Sequence, residues 1–126
     1  IKDGADYVKA DGTIVENMKL TFDSEPSLSY AYCSDTIYYP DLCDFIKGVD
    51  LLYHEATFAK DSEALAKKTK HSTAEQAALI AKKADVKMLM LGHYSARYTD
   101  LKLLLDEAKL VFENTVLADD GLKINL

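Results

Sequence analysis

The stretch Val49-Asp50-Leu51-Leu52-Tyr53-His54-Glu55-Ala56-Thr57 decides how the chain is read. Its first five residues are an apolar run of strand length that passes at once into a histidine and a glutamate. Downstream, Val86 to Leu91 is apolar apart from Lys87, too short for a helix and suited to a buried strand, and it stops at Gly92-His93. Upstream, Ser27 to Cys33 alternates, with Leu28, Tyr30 and Tyr32 in phase, and stops at Ser34-Asp35-Thr36. Three strand-like runs therefore end in chemically capable side chains: Asp35, then His54 and Glu55, then His93. In an α/β domain neighbouring strand ends share one rim, where ligand sites collect, so the spacing predicts that these residues meet.

The segments between the runs are helical in pattern. Pro40-Asp41 opens a short helix to Lys47 that Gly48 ends, and residues 59 to 69 form a loop or short helix. Ser72-Thr73-Ala74-Glu75 places a hydroxyl three residues before an acid, a capping box on the alanine-rich helix that runs to Ala84. His71 stands immediately before it. From Thr99, the positions Leu101, Leu104, Leu105, Ala108, Val111 and Phe112 share one helical face. Ile1 to Phe22, broken at Asp3-Gly4 and Asp11-Gly12, reads as hairpin strands followed by a loop at Asp23-Ser24-Glu25-Pro26. Thr115–Leu117 and Leu122–Leu126, either side of Ala118-Asp119-Asp120-Gly121, read as a closing hairpin.

Composition narrows the function classes. The 126 residues suit one domain, and 48% hydrophobic against 29% charged residues, with 5 Gly and 2 Pro, exclude a disordered tail or a collagen-like repeat. Of the 15 basic residues Arg97 is the one arginine, against 21 acids, which excludes a generally basic nucleic-acid-binding surface. The first 63 residues hold 5 Lys and 13 acids, the rest 9 Lys, 1 Arg and 8 acids, so a polyanion would contact the second half. Cys33 and Cys43 form neither a CxxC pair nor a disulfide scaffold, which predicts a reduced, intracellular protein. No run approaches the roughly 20 apolar residues of a membrane span, and Ile1-Lys2-Asp3-Gly4 does not open a signal peptide. A chain starting at Ile1, in mid-domain by this reading, is expected to be a fragment or a processed product.

Each candidate has a structural reading beside its chemical one. Asp35 can ligate or bridge a metal ion, or simply form an Asx turn. His93 can be a zinc ligand or a histidine bonded to a loop carbonyl, and Gly92 before it allows a close backbone approach. His71 can be a proton shuttle or phosphate contact, or an exposed loop residue. Glu55 can orient an imidazole, or be a solvated strand end. Arg97 offers a planar fork to a phosphate or to a salt bridge, and Ser95 and Tyr98 can donate to the same oxyanion or cap and pack. Asp35 and His93 make two ligands where a catalytic zinc takes three, so the chain is not expected to complete a metal site unaided.

Ser34-Asp35-Thr36, His-Glu-Ala-Thr-Phe at 54 to 58, His-Ser-Thr-Ala at 71 to 74 and Gly-His-Tyr-Ser-Ala-Arg-Tyr at 92 to 98, in that order, resemble the carboxy-terminal part of ribonuclease Z, the tRNA 3′-processing endonucleases of the metallo-β-lactamase superfamily. The resemblance covers nearly all of the chain. It implies an α/β fold, the carboxy-terminal half of a four-layer αββα sandwich with a two-zinc site. By resemblance Asp35 bridges both metals, His93 binds one, His71 meets the scissile phosphate and protonates the leaving oxygen, and Glu55 holds the His71 ring. Arg97 and Ser95 are similar to residues placed for substrate phosphate contacts. The implied substrate is precursor tRNA, cut to leave a 3′-hydroxyl; the implied enzyme is a cytoplasmic homodimer with no membrane contact.

Against that pattern, the His-x-His-x-Asp-His segment, a further histidine ligand and the tRNA-gripping arm have no counterpart in residues 1–126. The expectation is a partial metallo-β-lactamase domain, with little activity alone and an exposed inner sheet prone to self-association. Two alternatives stand beside it: a non-catalytic interaction half that pairs with a separate amino-terminal piece, and another phosphodiesterase of the same fold.

Overall fold

The computed structural model describes residues 1–22 and 26–126. Asp23, Ser24 and Glu25, most of the expected first loop, lie outside the described residues. Strands β1 (Tyr7–Val8) and β2 (Ile14–Val15) pair antiparallel as a small hairpin, turning at Gly12 with φ +82°. A four-stranded parallel sheet follows, with β3 (Tyr30–Cys33), β4 (Leu51–Glu55), β5 (Met88–Gly92) and β6 (Thr115–Leu117) side by side in chain order. The connections are helical: α1 (Leu42–Phe45), α2 (Glu63–Thr69) and α3 (Ala74–Lys83), then α4 (Lys102–Lys109).

Right-handed crossovers repeated in one direction across a sheet put every helix on the same face. Here that face carries the core: Leu52, Leu89 and Leu91 from the strands pack against Ala77, Ile80, Ala81, Leu104 and Ala108 from α3 and α4. The opposite face carries Tyr30, Tyr32, Tyr53 and Met90 by the two-residue period of a strand. Tyr32 and Tyr53 stack at 4.6 Å between ring centroids, and Tyr30 and Tyr32 remain 55% and 64% exposed. An α/β arrangement with one covered and one bare sheet face is the half-sandwich the sequence predicts.

Asp50 pins the far end of the sheet. Its carboxylate accepts from Ser29 N–H and Oγ at 2.7 Å each and pairs with Lys87 Nζ at 2.6 Å, so β3, β4 and β5 start in register. The Lys87 ammonium and the Ser29 donors hold that carboxyl well below the usual carboxylate range.

Three expectations change. The capping box is Thr73–Gln76, with Gln76 N–H donating to Thr73 Oγ1 at 3.2 Å and Thr73 N–H to Gln76 Oε1 at 3.0 Å. Ser72 and Glu75 are spent elsewhere, on Thr36 O and on Lys60 Nζ. No closing hairpin forms: Thr115–Leu117 joins β5 in parallel, Ala118 N–H continues onto Leu91 O at 2.7 Å, and Leu122–Leu126 is not a strand. Gly92 does allow the close approach expected of it, because a Cβ there would overlap the Tyr53 ring.

The third change concerns His54 and Glu55. Strand β4 runs through both, so they point to opposite faces, and His54 sits fully buried on the helix side beside the Cys33 and Leu91 positions. Its Nδ1 bonds the Glu55 carbonyl at 2.8 Å and its Nε2 has no partner among the described residues. Burial pushes this imidazole below its ordinary pKa. The unfolded chain therefore takes up a proton near pH 6.5 that the native state refuses, so stability is full above about pH 6.5 and falls below it. In urea unfolding at pH 8 and pH 5, His54→Leu is expected to lose less stability on acidification than the parent chain. Equal losses would contradict a neutral buried His54.

Candidate active site

The parallel sheet delivers three chain segments to one rim: the turn after β3, the end of β4 and the turn after β5. A fourth, the loop between α2 and α3, comes alongside through a parallel bridge between Phe58 and Thr73. Lys70 ends α2 in a left-handed conformation, φ 62°, and His71 N–H then closes back onto Ala66 O at 2.8 Å, which sets His71 against the rim.

Glu55 is the hub. It is fully buried, and a buried carboxylate must be satisfied by donors. Oε1 accepts from Thr36 N–H at 2.7 Å and faces His71 Nδ1 at 2.8 Å; Oε2 accepts from Thr57 Oγ1 at 2.6 Å and Ser72 N–H at 3.0 Å. The solvated-strand-end reading of Glu55 is excluded. His71, with Nδ1 on Glu55, has Nε2 left for other partners, and its ring lies 5.1 Å from that of His93 at 27°.

Asp35 and His93 both adopt left-handed backbone conformations, φ 52° and 58°, at the ends of their strands. Asp35 Oδ1 and His93 Nε2 stand 3.1 Å apart, and Ser34 Oγ donates to the other Asp35 oxygen at 3.2 Å. His93 Nδ1 meets Thr57 Oγ1 at 2.8 Å rather than a loop carbonyl. Asp35, His71 and His93 each offer a ligand atom within 4.8 Å of the others. A four-coordinate zinc with bonds of about 2.0–2.2 Å separates neighbouring ligand atoms by about 3.3 Å, so the Asp35–His93 spacing suits such an ion. The oxygen and imidazole donors are of the kind zinc takes; Asp35 and His93, with His71 nearby, fit as part of a metal site.

Arg97 lies outside the carboxylate cluster. Its guanidinium carbon sits 5.0 Å over the Phe58 ring, a cation–π contact, and Phe58 meets His71 edge-on at 6.3 Å. It takes no acidic partner among the described residues, so the salt-bridge reading fails. Ser95 shapes the turn: its N–H donates to Thr57 O at 3.1 Å and its Oγ accepts from Arg97 N–H at 3.5 Å. Tyr98 Oη accepts from Ala59 N–H at 2.8 Å, so Tyr98 packs and caps. A cavity of about 270 Å³ opens beside His71, lined also by Ile37, Tyr38, Glu63, Lys67 and Gln76.

Sequence reasoning gave no role to Thr36 or Thr57 and read Ser72 only as a helix cap. Thr57 had a signal, since residues two apart on extended chain share a side and it stands two after Glu55. Thr36 and Ser72 contribute backbone N–H groups, which no side-chain pattern displays.

A bare-faced parallel half-sheet with a carboxylate and two histidines on its rim matches one class of solved structure. The crystal structure of the metallo-β-lactamase-fold protein YhfI of Bacillus subtilis matches 76% of this chain and 39% of its own, with TM-score 0.71 and 30% identity. A long-form RNase Z from yeast matches 72% of this chain and 12% of its own, with TM-score 0.64 and 29% identity. The protein is thus a metallo-β-lactamase-fold chain. Proteins named Ribonuclease Z from Phocaeicola vulgatus and Bacteroides thetaiotaomicron are 56% and 52% identical over all 126 residues. Within its fold class the chain therefore belongs with the ribonuclease Z family, and it spans 40–41% of the length of those relatives. No protein-family model matches it.

The hub and the rim should separate in stability measurements. Glu55→Ala strands the Thr36 and Ser72 N–H groups and the Thr57 hydroxyl, at about 1–3 kcal/mol for each buried group left unsatisfied, so a loss of about 3–5 kcal/mol is expected. Asp35→Ala, at a side chain 69% exposed, should change stability by about 1 kcal/mol or less. Equal losses in urea unfolding would show that Glu55 does not organise the rim.

Proposed function

We propose that this chain supplies the carboxy-terminal part of a zinc-dependent endoribonuclease that removes the 3′ trailer from precursor tRNA and leaves a 3′-hydroxyl. The observation that carries the reading is His71, held on buried Glu55, beside the Asp35–His93 pair on one rim. Relatives named Ribonuclease Z, at 50–56% identity, support it.

Asp35 and His93 would hold metal, with the remaining ligands and the water-activating carboxylate coming from outside residues 1–126. Bound zinc would polarise the phosphodiester and make a water nucleophilic near neutral pH. The chain's own residues handle the other end of the reaction. His71 donates Nδ1–H to Glu55, which leaves Nε2 to carry the proton delivered to the departing oxygen. Arg97, braced on Phe58, sits where its fork can take a neighbouring phosphate, and the Ser95 turn holds it there. The complete enzyme is read as a cytoplasmic homodimer, in keeping with the free thiols Cys33 and Cys43; among the described residues no helix is long and apolar enough to cross a membrane.

A second reading, another phosphodiesterase of the same fold, is kept on one observation: YhfI, whose name specifies the fold and no ribonuclease, has a higher TM-score than the yeast RNase Z structure, 0.71 against 0.64. Cleavage by the complete protein decides between them. Precursor tRNA should be cut after the discriminator region far faster than a small phosphodiester such as bis-p-nitrophenyl phosphate. His71→Ala should lower kcat on precursor tRNA by about 10²–10⁴-fold with zinc content unchanged, the range for a lost general acid. Comparable rates on both substrates would favour the phosphodiesterase. Absence of zinc binding by the complete protein would leave a non-catalytic interaction half.

A further inference from the structure

We propose that Thr57 is a positioning residue that fixes His93 as its Nδ1–H tautomer, so that Nε2 alone is free toward Asp35, and that Glu55 thereby orients both histidines of the site. The inference rests on the metal-site reading of Asp35 and His93 and assigns a role to a residue that reading leaves idle. Thr57 Oγ1 has one hydrogen and three polar neighbours: Glu55 Oε2 at 2.6 Å, His93 Nδ1 at 2.8 Å and His93 O at 3.0 Å. A carboxylate and a carbonyl only accept, and the carboxylate is nearest, so the hydroxyl hydrogen goes to Glu55. The hydroxyl oxygen is left as an acceptor facing His93 Nδ1, and that nitrogen must then bring the hydrogen itself. In the neutral ring its Nε2 is then left with a bare lone pair, 3.1 Å from an Asp35 oxygen. Two acceptors at that distance repel each other unless a cation lies between them.

The same carboxylate reaches His71 directly through Oε1 and His93 through the Thr57 hydroxyl on Oε2. One buried group therefore sets the tautomer of the proton-delivering imidazole and of the metal-binding one. Thr57 is itself buried at 7% exposure, so water is kept from substituting for its hydroxyl. A hydrogen-bond partner of this kind behind a metal-binding histidine raises metal affinity by about 10–100-fold.

The test uses the complete protein with ¹⁵N-labelled histidine, stripped of metal and held above the imidazole titration range. Ring ¹H–¹⁵N correlations should show the His93 hydrogen on Nδ1 in the parent protein; a hydrogen on Nε2 there would overturn the proposal without any variant. Thr57→Val, which keeps the shape and removes the hydroxyl, should mix the two tautomers and weaken zinc about 10–100-fold in chelator competition. Thr57→Ser should restore both. A folded Thr57→Val protein that keeps the Nδ1–H tautomer and binds zinc within about twofold of the parent would sink the idea. These readouts do not involve RNA, so failure to cut precursor tRNA would remove the nuclease reading and leave this one standing.

Discussion

The Glu55 carboxylate is taken out of water at the end of β4 and answered by donors from separate parts of the chain. Thr36 comes from the turn after β3, Thr57 from the continuation of β4, and His71 with Ser72 from the loop ahead of α3. An unpaired buried carboxylate is too costly to persist, so burying this one obliges all three segments to arrive together. The chemically capable residues then follow as neighbours of the donors. Asp35 precedes Thr36, His71 precedes Ser72, and His93 lies on Thr57. Satisfaction of one charge is thus what gathers the rim into a site.

That gathering carries local strain. Asp35 and His93 both hold positive φ, a conformation that costs a non-glycine residue about 1–2 kcal/mol. Aspartate and histidine tolerate it better than most, and the reversal it produces at a strand end brings the two side chains together over the rim. Neither residue is well buried, so packing does not explain the conformation. The hydrogen bonds of Thr36 and Thr57 to Glu55 flank the two positions and offset the strain.

Much of this was legible in the sequence because strand endings are sharp signals. The run Leu51 to Tyr53, the run Val86 to Leu91 and the alternation before Ser34 placed three parallel strands and their shared rim. Strand length was less legible: β4 continues for two residues past its apolar run, which sends His54 into the core and Glu55 to the site. Tertiary demand also overrode local pattern. Ser72 and Glu75 have the spacing of a capping box, yet Thr36 and Lys60 claim them and Thr73–Gln76 caps instead. The turn at Asp119 to Gly121 has hairpin chemistry, but among the described residues β6 pairs only with β5, and Leu122–Leu126 does not return as a strand onto its open edge. Thr57 was visible only through its spacing from Glu55, and backbone donors such as Thr36 N–H carry no side-chain signature at all.

The topology and the charge together divide the work of the proposed enzyme. Strands laid down in one direction leave a tyrosine-bearing face bare, a surface suited to a second sheet, while their carboxyl ends carry a partial ligand set to its edge. The net charge is −6 and Arg97 is the one arginine, so the chain generates no broad attraction for a polyanion. Its positive contact with a phosphate, in the proposed enzyme, would be local, one guanidinium set on an aromatic ring beside His71. In the proposed enzyme such a chain would align a bond for cleavage, and capture of a long nucleic acid would fall to other parts of the protein. Weakening Arg97 should therefore perturb the alignment of the scissile phosphate more than the salt dependence of binding, because one screened contact contributes little to counterion release.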